Sequence, residues 1–482
     1  MPALAAILAG LLLGGCTPRA PLRGGAPAIP PLRVGTSGDY APFSSRNPDG
    51  TYAGFDIEVA RAYAADRRRE VVFVPFRWPE LGSRLAAGDF DVVMSGVTVG
   101  ADRLVTGIMT ATVARTDAVL AVAAHASTVD SAASAGRGAA AQPPAGFDRP
   151  ARTIAVNRGG HLEQVTRARF PHARIVAVDD NTALPAMLAR GDADAIVTDT
   201  FELAAFDAAC AAAPCLRVVA RLARDRKAYW LPPGKGALAT DLDGWLLERE
   251  RSGWLPALRA RILRAIATGA LNASPASHDG NSAPRDGNAA PDASVAPLEA
   301  STASLVEDVR RRLTLMPLVA AAKHAAGRPI EDRAREAAVE REAAARAATV
   351  ALDVPSFVAF IRGEVAAAKA IQRATPESIA APFTLDELRR AIDRADARIV
   401  VALAALAPLA APADAVAREL ASDDVPGLTP SVAGALARAL RAVRKQPDVF
   451  STGRASSSGC MVRGIFDDTH VAWGGAGCGG SG

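Results

Sequence analysis

Two groups of residues in this chain of 482 have types and spacings suited to chemistry on small anions. In the N-terminal half, Arg103 follows a polar turn that closes the buried, strand-like run Phe90-Asp91-Val92-Val93-Met94-Ser95-Gly96. A guanidinium placed there can grip a carboxylate through two parallel hydrogen bonds. Asp199 stands at the matching turn of a second run, Ala195-Ile196-Val197-Thr198-Asp199. Glu163 follows Asn157-Arg158-Gly159-Gly160-His161-Leu162, in a loop or first helical turn, where a glutamate is also simply favoured by the helix dipole. In the C-terminal half the set is Arg312, Lys323 eleven positions on, Asp332, Arg335, Glu336, Gln372 and Arg389. Asp332, Arg335 and Glu336 fall at i, i+3 and i+4, which predicts one helix face. Taken singly, such residues read as a solvated charged surface.

The elements that must position these residues show an internal echo. Leu85-Ala86-Ala87-Gly88-Asp89-Phe90-Asp91-Val92-Val93 matches Leu188-Ala189-Arg190-Gly191-Asp192-Ala193-Asp194-Ala195-Ile196. Each copy reads as a helix end, a glycine stop and a buried strand. Each is preceded by another strand running into a polar loop, Leu32-Arg33-Val34-Gly35 and Thr153-Ile154-Ala155-Val156. Two similar α/β lobes follow. Ligands of open α/β sheets bind beyond the carboxyl ends of the strands, so the polar turns of both lobes should face one cleft. From 301 to 445 the pattern is helical, with Pro317, Pro329 and Pro355 marking breaks or starts, and predicts an all-α domain of three or four helices. Residues 269–300 have the composition of a flexible linker, and 126–149 reads as a surface loop or insertion.

GTSGDYAPFS, YAGFDIEVA, FDVVMSGVTVGADR, AIVTDTFE and KAYWLP, in this order, resemble the type-3 periplasmic solute-binding fold of amino-acid receptors, and within it the periplasmic cyclohexadienyl dehydratases. The resemblance implies that Arg103 clamps a ligand carboxylate. In the receptors the Asp199 position meets the ligand's ammonium, so this pair alone does not separate receptor from enzyme. Glu163 does, because the glutamate of the Asn-x-Gly-Gly-x-x-Glu motif is the proposed general acid of the dehydratases. A carboxyl held partly out of water, with a raised pKa, suffices to protonate a hydroxyl leaving prephenate as carbon dioxide departs. Trp78, Tyr40, Phe43, Ser95, Gly96, Thr98, Asn157, Gly160 and Lys227 are the next candidates to line the cleft. Trp78 would stack on the ring, core packing being its competing reading, and Lys227 would hold a second carboxylate.

Residues 304–393, most densely PLVAAAKHAAGRPIEDRARE, resemble the secreted class of all-helical chorismate mutases. That reaction is pericyclic and moves no proton, so it needs a cage that fixes the dianion and stabilises charge growing on the ether oxygen. The resemblance implies that Arg312, Arg335 and Arg389 hold carboxylates, that Lys323 and Gln372 serve the ether oxygen, and that Glu336 takes the ring hydroxyl. A neutral Gln372 would work across pH, where a glutamate would have to be protonated. Ala368 departs from relatives that often carry a hydroxyl there. The expectation is a bifunctional enzyme taking chorismate to prephenate and prephenate to phenylpyruvate, with arogenate a further possible substrate and no cofactor. An amino-acid receptor fused to a mutase is the alternative.

Composition sets the frame. Lys and Arg number 55 against 51 Asp and Glu, a net charge of +4 with no long basic run, which argues against a nucleic-acid partner. The apolar run Leu4–Leu13 suits an export signal and is too short for a membrane span. Its continuation Leu13-Gly14-Gly15-Cys16 resembles the lipobox of bacterial lipoproteins, implying acylation of Cys16 and outer-membrane anchoring facing the periplasm. The organisation read from sequence is 1–16 signal, 17–30 linker, 31–268 two-lobed domain, 269–300 linker, 301–445 helical domain and 446–482 a tail of unassigned role. Four cysteines then remain for an oxidising compartment; three connectivities are open, with Cys210–Cys215 and Cys460–Cys478 the local pairing. No CxxC or HxxxH spacing supports a metal site. Helical mutases often dimerise, so a homo-oligomer is possible.

Overall fold

The structure, a computed structural model, describes residues 29–124, 146–210, 215–267, 298–421 and 425–446. The signal with Cys16, most of the 126–149 stretch and of the 269–300 linker, and the tail with Cys460 and Cys478 lie outside the described residues.

The chain begins in lobe 1 with β1 (Leu32–Thr36), the short strands β2 (Asp39–Tyr40), β3 (Ser44–Arg46) and β4 (Tyr52–Ala53), then α1 (Phe55–Asp66), β5 (Val71–Pro75), α2 (Leu81–Ala86), β6 (Val92–Val93), α3 (Ala101–Thr106) and β7 (Ile108–Met109). It crosses into lobe 2 for β8 (Ala114–Ala123), β9 (Thr153–Asn157), α4 (His161–Arg169), β10 (Arg174–Val178), α5 (Leu184–Arg190), β11 (Ala195–Asp199), α6 (Thr200–Ala208) and β12 (Leu216–Lys227). A second crossing returns it to lobe 1 as β13 (Trp230–Leu231), α7 (Gly236–Arg251) and α8 (Trp254–Ala267). The sheet orders are β5-β1-β6-β13-β7 and β10-β9-β11-β8-β12. In each, the three strands first in this order are parallel and the crossing strands antiparallel, so the echo in the sequence corresponds to β6 and β11 in equivalent places.

Strand alternation builds the cores. On β9, Ile154 and Val156 pack with Leu162 and Phe170 on one face of the lobe 2 sheet, while Ala155 packs with Leu184, Leu188 and Phe206 on the other. Lobe 1 is closed by the returning segment, since Leu242, Trp245, Leu246 and Leu258 join Leu32, Val34 and Val92 in one cluster.

Among the described residues the C-terminal region has seven helices rather than the three or four expected: α9 (Ala300–Thr314), α10 (Met316–Ala325), α11 (Arg333–Thr349), α12 (Val354–Ala374), α13 (Leu385–Leu406), α14 (Ala413–Leu420) and α15 (Pro430–Arg441). Pro317 and Pro355 sit in the first turns of α10 and α12, where a missing N–H costs nothing. Asp332, Asp353, Thr384 and Thr429 cap the starts of α11, α12, α13 and α15, with a complete capping box at Thr384 and Glu387. The core joins Leu313, Phe357, Phe360, Ile371 and Leu403, all at most 1% exposed and worth about 1.5–3 kcal/mol each in burial. Val105 of lobe 1 belongs to this same cluster. The helical domain is thus docked on lobe 1, where the linker composition alone would have allowed the two to stand apart.

Candidate functional site

Two concavities hold the residues singled out above. The first lies between the lobes and is lined by Tyr40, Trp78, Gly96, Thr98, Arg103, Asn157, Gly160, His161, Leu162 and Asn181. As folded here it is nearly shut, with a free volume of about 20 Å³, so a ring-sized ligand requires the lobes to part. Two glycines permit the closeness. Gly96 has φ of 64° and Gly159 φ of 77°. A Cβ on Gly159 would lie 2.8–2.9 Å from Pro79 of the opposite lobe, and one on Gly96 2.5 Å from the Tyr40 ring.

The cleft offers unfilled donors. Arg103 is buried and spends Nη1 on the Thr98 carbonyl at 2.5 Å. Trp78 Nε1 and Asn157 Nδ2 are buried without a hydrogen-bond partner. Trp78 meets Tyr40 and Phe76 edge-on, so its free N–H rather than an open ring face is what it presents. Such a lining suits the oxygens of an anion. Ser95 lies behind it, buried and bonded to the Ser37 hydroxyl and N–H. Phe43 is likewise packed away, stacked on Phe201.

Lys227 corrects one expectation. It is 1% exposed and holds no open position for a carboxylate: its Nζ lies 3.1 Å from Asp199 Oδ2, 3.0 Å from the Tyr40 hydroxyl and 2.9 Å from Thr98 Oγ1. Asp199 is equally committed. One oxygen caps α6 by accepting from the N–H groups of Phe201 and Glu202, and the other takes the Tyr40 hydroxyl together with Lys227. The protein's own ammonium therefore fills the place expected for a ligand's.

Glu163 also departs from expectation. It does not line the cleft. Its carboxylate accepts from the Gly159 N–H at 2.6 Å and pairs with exposed Arg167 at 2.7 Å. Burial pushes its pKa up, but the Gly159 N–H and the Arg167 guanidinium outweigh that and hold it below the ordinary range, where a raised value was expected. Two residues earlier, His161 does line the cleft, with Nε2 3.0 Å from Oδ1 of buried Asp225 on β12. Burial raises the Asp225 carboxyl, and His161, Lys227 and Arg103 more than reverse it. His161, Asp225 and Asn181 were missed in the sequence, which offered no spacing that links them.

The second concavity is inside the helical domain, with a volume of about 410 Å³, in the range of small-molecule sites. All seven residues of the C-terminal set, Arg312, Lys323, Asp332, Arg335, Glu336, Gln372 and Arg389, line it. Arg312 pairs with Asp396 at 2.7 Å and Glu364 at 3.4 Å, leaving its buried Nη1 without a hydrogen-bond partner. Lys323 donates to the Ile330 carbonyl at 2.8 Å, and burial lowers its pKa. Gln372 is buried with its amide oxygen unpartnered. Glu336 pairs with Lys369 at 2.9 Å, Arg335 with Glu342 at 3.6 Å and Arg389 with Asp386 at 2.6 Å. Asp332, Arg335 and Glu336 face the cavity together, Asp332 as the N-cap of α11, where it accepts the Arg335 backbone N–H. The lining residues Glu364, Lys369, Asp393 and Asp396 were not foreseen, since on alanine-rich helices they look like solvated surface. Burial pushes the Glu364 carboxyl well up, Arg312 opposing it.

Among the described residues no cluster of His, Cys, Asp and Glu could hold a metal. Cys210 and Cys215 are joined by a disulfide.

Residues 32–265 match the bacterial extracellular solute-binding proteins, family 3. Across 237 residues, 46% of this chain and 79% of the relative, the sequence is 31% identical to the cyclohexadienyl dehydratase of Pseudomonas aeruginosa. Over these residues the chain belongs to the family 3 solute-binding proteins. A probable histidine-binding protein of Neisseria gonorrhoeae is 38% identical over 81 residues, 16% of this chain and 30% of that one. The crystal structure of an ancestral amino acid-binding protein, described as a precursor of cyclohexadienyl dehydratase, is 28% identical, covers 48% of this chain and 95% of its own, and has a TM-score of 0.43. As a family 3 member the chain carries the two-lobed fold in its N-terminal half, with the helical domain outside the matched residues.

Proposed function

We propose that the chain is a bifunctional exported enzyme: the helical domain converts chorismate to prephenate, and the two-lobed domain converts prephenate to phenylpyruvate. The observation that carries the second activity is the occupation of Asp199 by Lys227 in a relative of a cyclohexadienyl dehydratase. An α-amino acid needs that aspartate for its ammonium, whereas prephenate has no ammonium and presents carboxylates, a ketone and a hydroxyl to Arg103, Trp78 and Asn157. Arogenate, which carries an ammonium, is accordingly the poorer substrate. In the dehydration the bond to the ring carboxylate breaks, its electron pair aromatises the ring, and the hydroxyl leaves with one added proton as water. Glu163 supplies that proton, and for this it must exchange Arg167 for the cleft when substrate binds.

The first activity is supported by the convergence of the seven-residue set on one cavity. Arg312, Arg335 and Arg389 hold the two carboxylates, Lys323 and the Gln372 amide N–H, released from Met316 Sδ, donate to the ether oxygen, and Glu336 takes the hydroxyl. An export signal ending at Cys16, with a lipid anchor in the outer membrane, places both steps in the periplasm. A receptor fused to a mutase is the second reading, favoured by the position of Glu163 outside the cleft. A coupled assay separates the two. With chorismate the whole protein yields phenylpyruvate, Glu163→Gln stops at prephenate, and Arg335→Ala makes neither. Failure of wild-type protein to consume prephenate, together with tight calorimetric binding of an amino acid, establishes the receptor instead.

A further inference from the structure

Two strands connect the lobes, running through residues 109–115 and 226–230, and both are tied to the helical domain. Arg311 of α9 donates to the carbonyls of Met109 and Thr110, at 3.1 and 2.5 Å, on the lobe 1 side of the first crossing. Its guanidinium lies 3.4 Å from Glu307, one turn back on α9, and Glu307 pairs with Arg226 at 2.6 Å on the lobe 2 side of the second crossing. Arg226 continues to Glu419 of α14 at 3.0 Å, and Glu419 also pairs with Arg115, on the lobe 2 side of the first crossing. Arg226, Arg311 and Glu307 are all nine-tenths or more buried.

A parallel tie runs through Asp243 of α7, which accepts the Ala111 N–H at 2.6 Å and is held by Arg398 of α13, itself 3.0 Å from Asp308 of α9. Domain closure requires a few hinge residues to absorb large φ/ψ changes, which contacts made to them from outside the lobes resist. Here any rotation of lobe 2 against lobe 1 must stretch or break charge-assisted contacts, of which those among Arg226, Arg311 and Glu307 are shielded from water and so the costly kind to lose.

We propose that the helical domain is a clasp on the lobe hinge, and that Glu307 and Glu419 are positioning residues which set how readily the interlobe cleft opens. The link to the cleft is one residue long on β12: Asp225 and Lys227 face His161 and Asp199, while Arg226 between them faces Glu307 and Glu419. This role stands whether or not either domain is an enzyme, because it concerns motion alone.

Hydrogen–deuterium exchange on the full chain tests it, comparing the wild type with Glu307→Gln/Glu419→Gln, which keeps side-chain shape and removes both charges. The double variant exchanges about tenfold faster in peptides covering 108–116 and 224–230, and also in the cleft peptide 157–163, which touches neither substituted residue. Faster exchange confined to α9 and α14, or none, overturns the proposal. Glu419→Gln alone keeps the Glu307–Arg226 pair and serves if the double variant does not fold. It gives the same pattern at smaller amplitude, and an unchanged pattern at 157–163 again overturns the clasp.

Discussion

Replacing Lys227 by alanine removes an ammonium and opens the space beside Asp199 that its side chain fills. Lys227 is 1% exposed and Asp199 0%, and the lysine is the cation closest to that carboxylate at 3.1 Å. Breaking a buried pair by deleting one partner strands the other charge, at a cost of about 3–5 kcal/mol. For a protein of this size that corresponds to a fall in Tm of about 3–5 °C. The loss has a specific remedy. An α-amino acid brings a carboxylate for Arg103 and an ammonium for Asp199, so phenylalanine should bind the Lys227→Ala protein and restore part of the lost Tm. It should do neither for the wild type. Differential scanning calorimetry and titration calorimetry read the two effects. A variant that keeps the wild-type Tm, or wild-type protein that binds phenylalanine as tightly as the variant does, refutes this role of Lys227.

Gln372→Glu should make chorismate turnover fall as pH rises, because a glutamate at this buried position must carry a proton to face the ether oxygen; a pH–rate profile parallel to that of the wild type would count against Gln372 in that role. Asp56 tests linkage in lobe 1. It is fully buried, accepts the Gly96 N–H at 2.5 Å and the Tyr229 hydroxyl at 3.0 Å, and burial raises its pKa to about 7 against the pull of those donors. The native state then keeps a proton that the unfolded chain releases, so stability contributed by this group is full below about pH 4 and is lost as pH rises toward 7. The slope is at most about 1.4 kcal/mol per pH unit. Asp56→Asn should flatten it in urea unfolding at pH 5 and pH 7, and an unchanged slope would assign the dependence elsewhere.

The repeat around Gly88 and Gly191 made the two lobes legible, because a helix end, a glycine and an apolar run encode local structure that tertiary packing only has to accept. The seven polar residues of the helical cavity were legible as an ordered set. Direction was not. Arg310, Arg311 and Arg312 are consecutive, yet each step along a helix turns the side chain by about 100°, so Arg311 reaches lobe 1 carbonyls while Arg312 enters the cavity. A run of three arginines carries no mark of which neighbour each will meet. The same holds for Glu163 and His161, two residues apart at the start of α4, of which only the histidine faces the cleft. Lys227 read as a ligand for a carboxylate because its partner Asp199 is 28 positions away, on a different strand.

The double crossing between the lobes also fixes an order of assembly. Lobe 2 is one contiguous segment, from Ala114 to Lys227, and every strand of its sheet lies within it. The lobe 1 sheet has β13 between β6 and β7, so it cannot close until Trp230 and Leu231 have been made, and its core waits further for α7 and α8. A chain emerging from its N-terminus thus completes its second lobe before its first, with β1, β5 and β6 held as an unfinished edge in the meantime. A chain cut after β12 would keep every strand of lobe 2 and lose β13, an interior strand of the lobe 1 sheet. Lobe 2 is therefore the segment to excise for study as an independent folding unit.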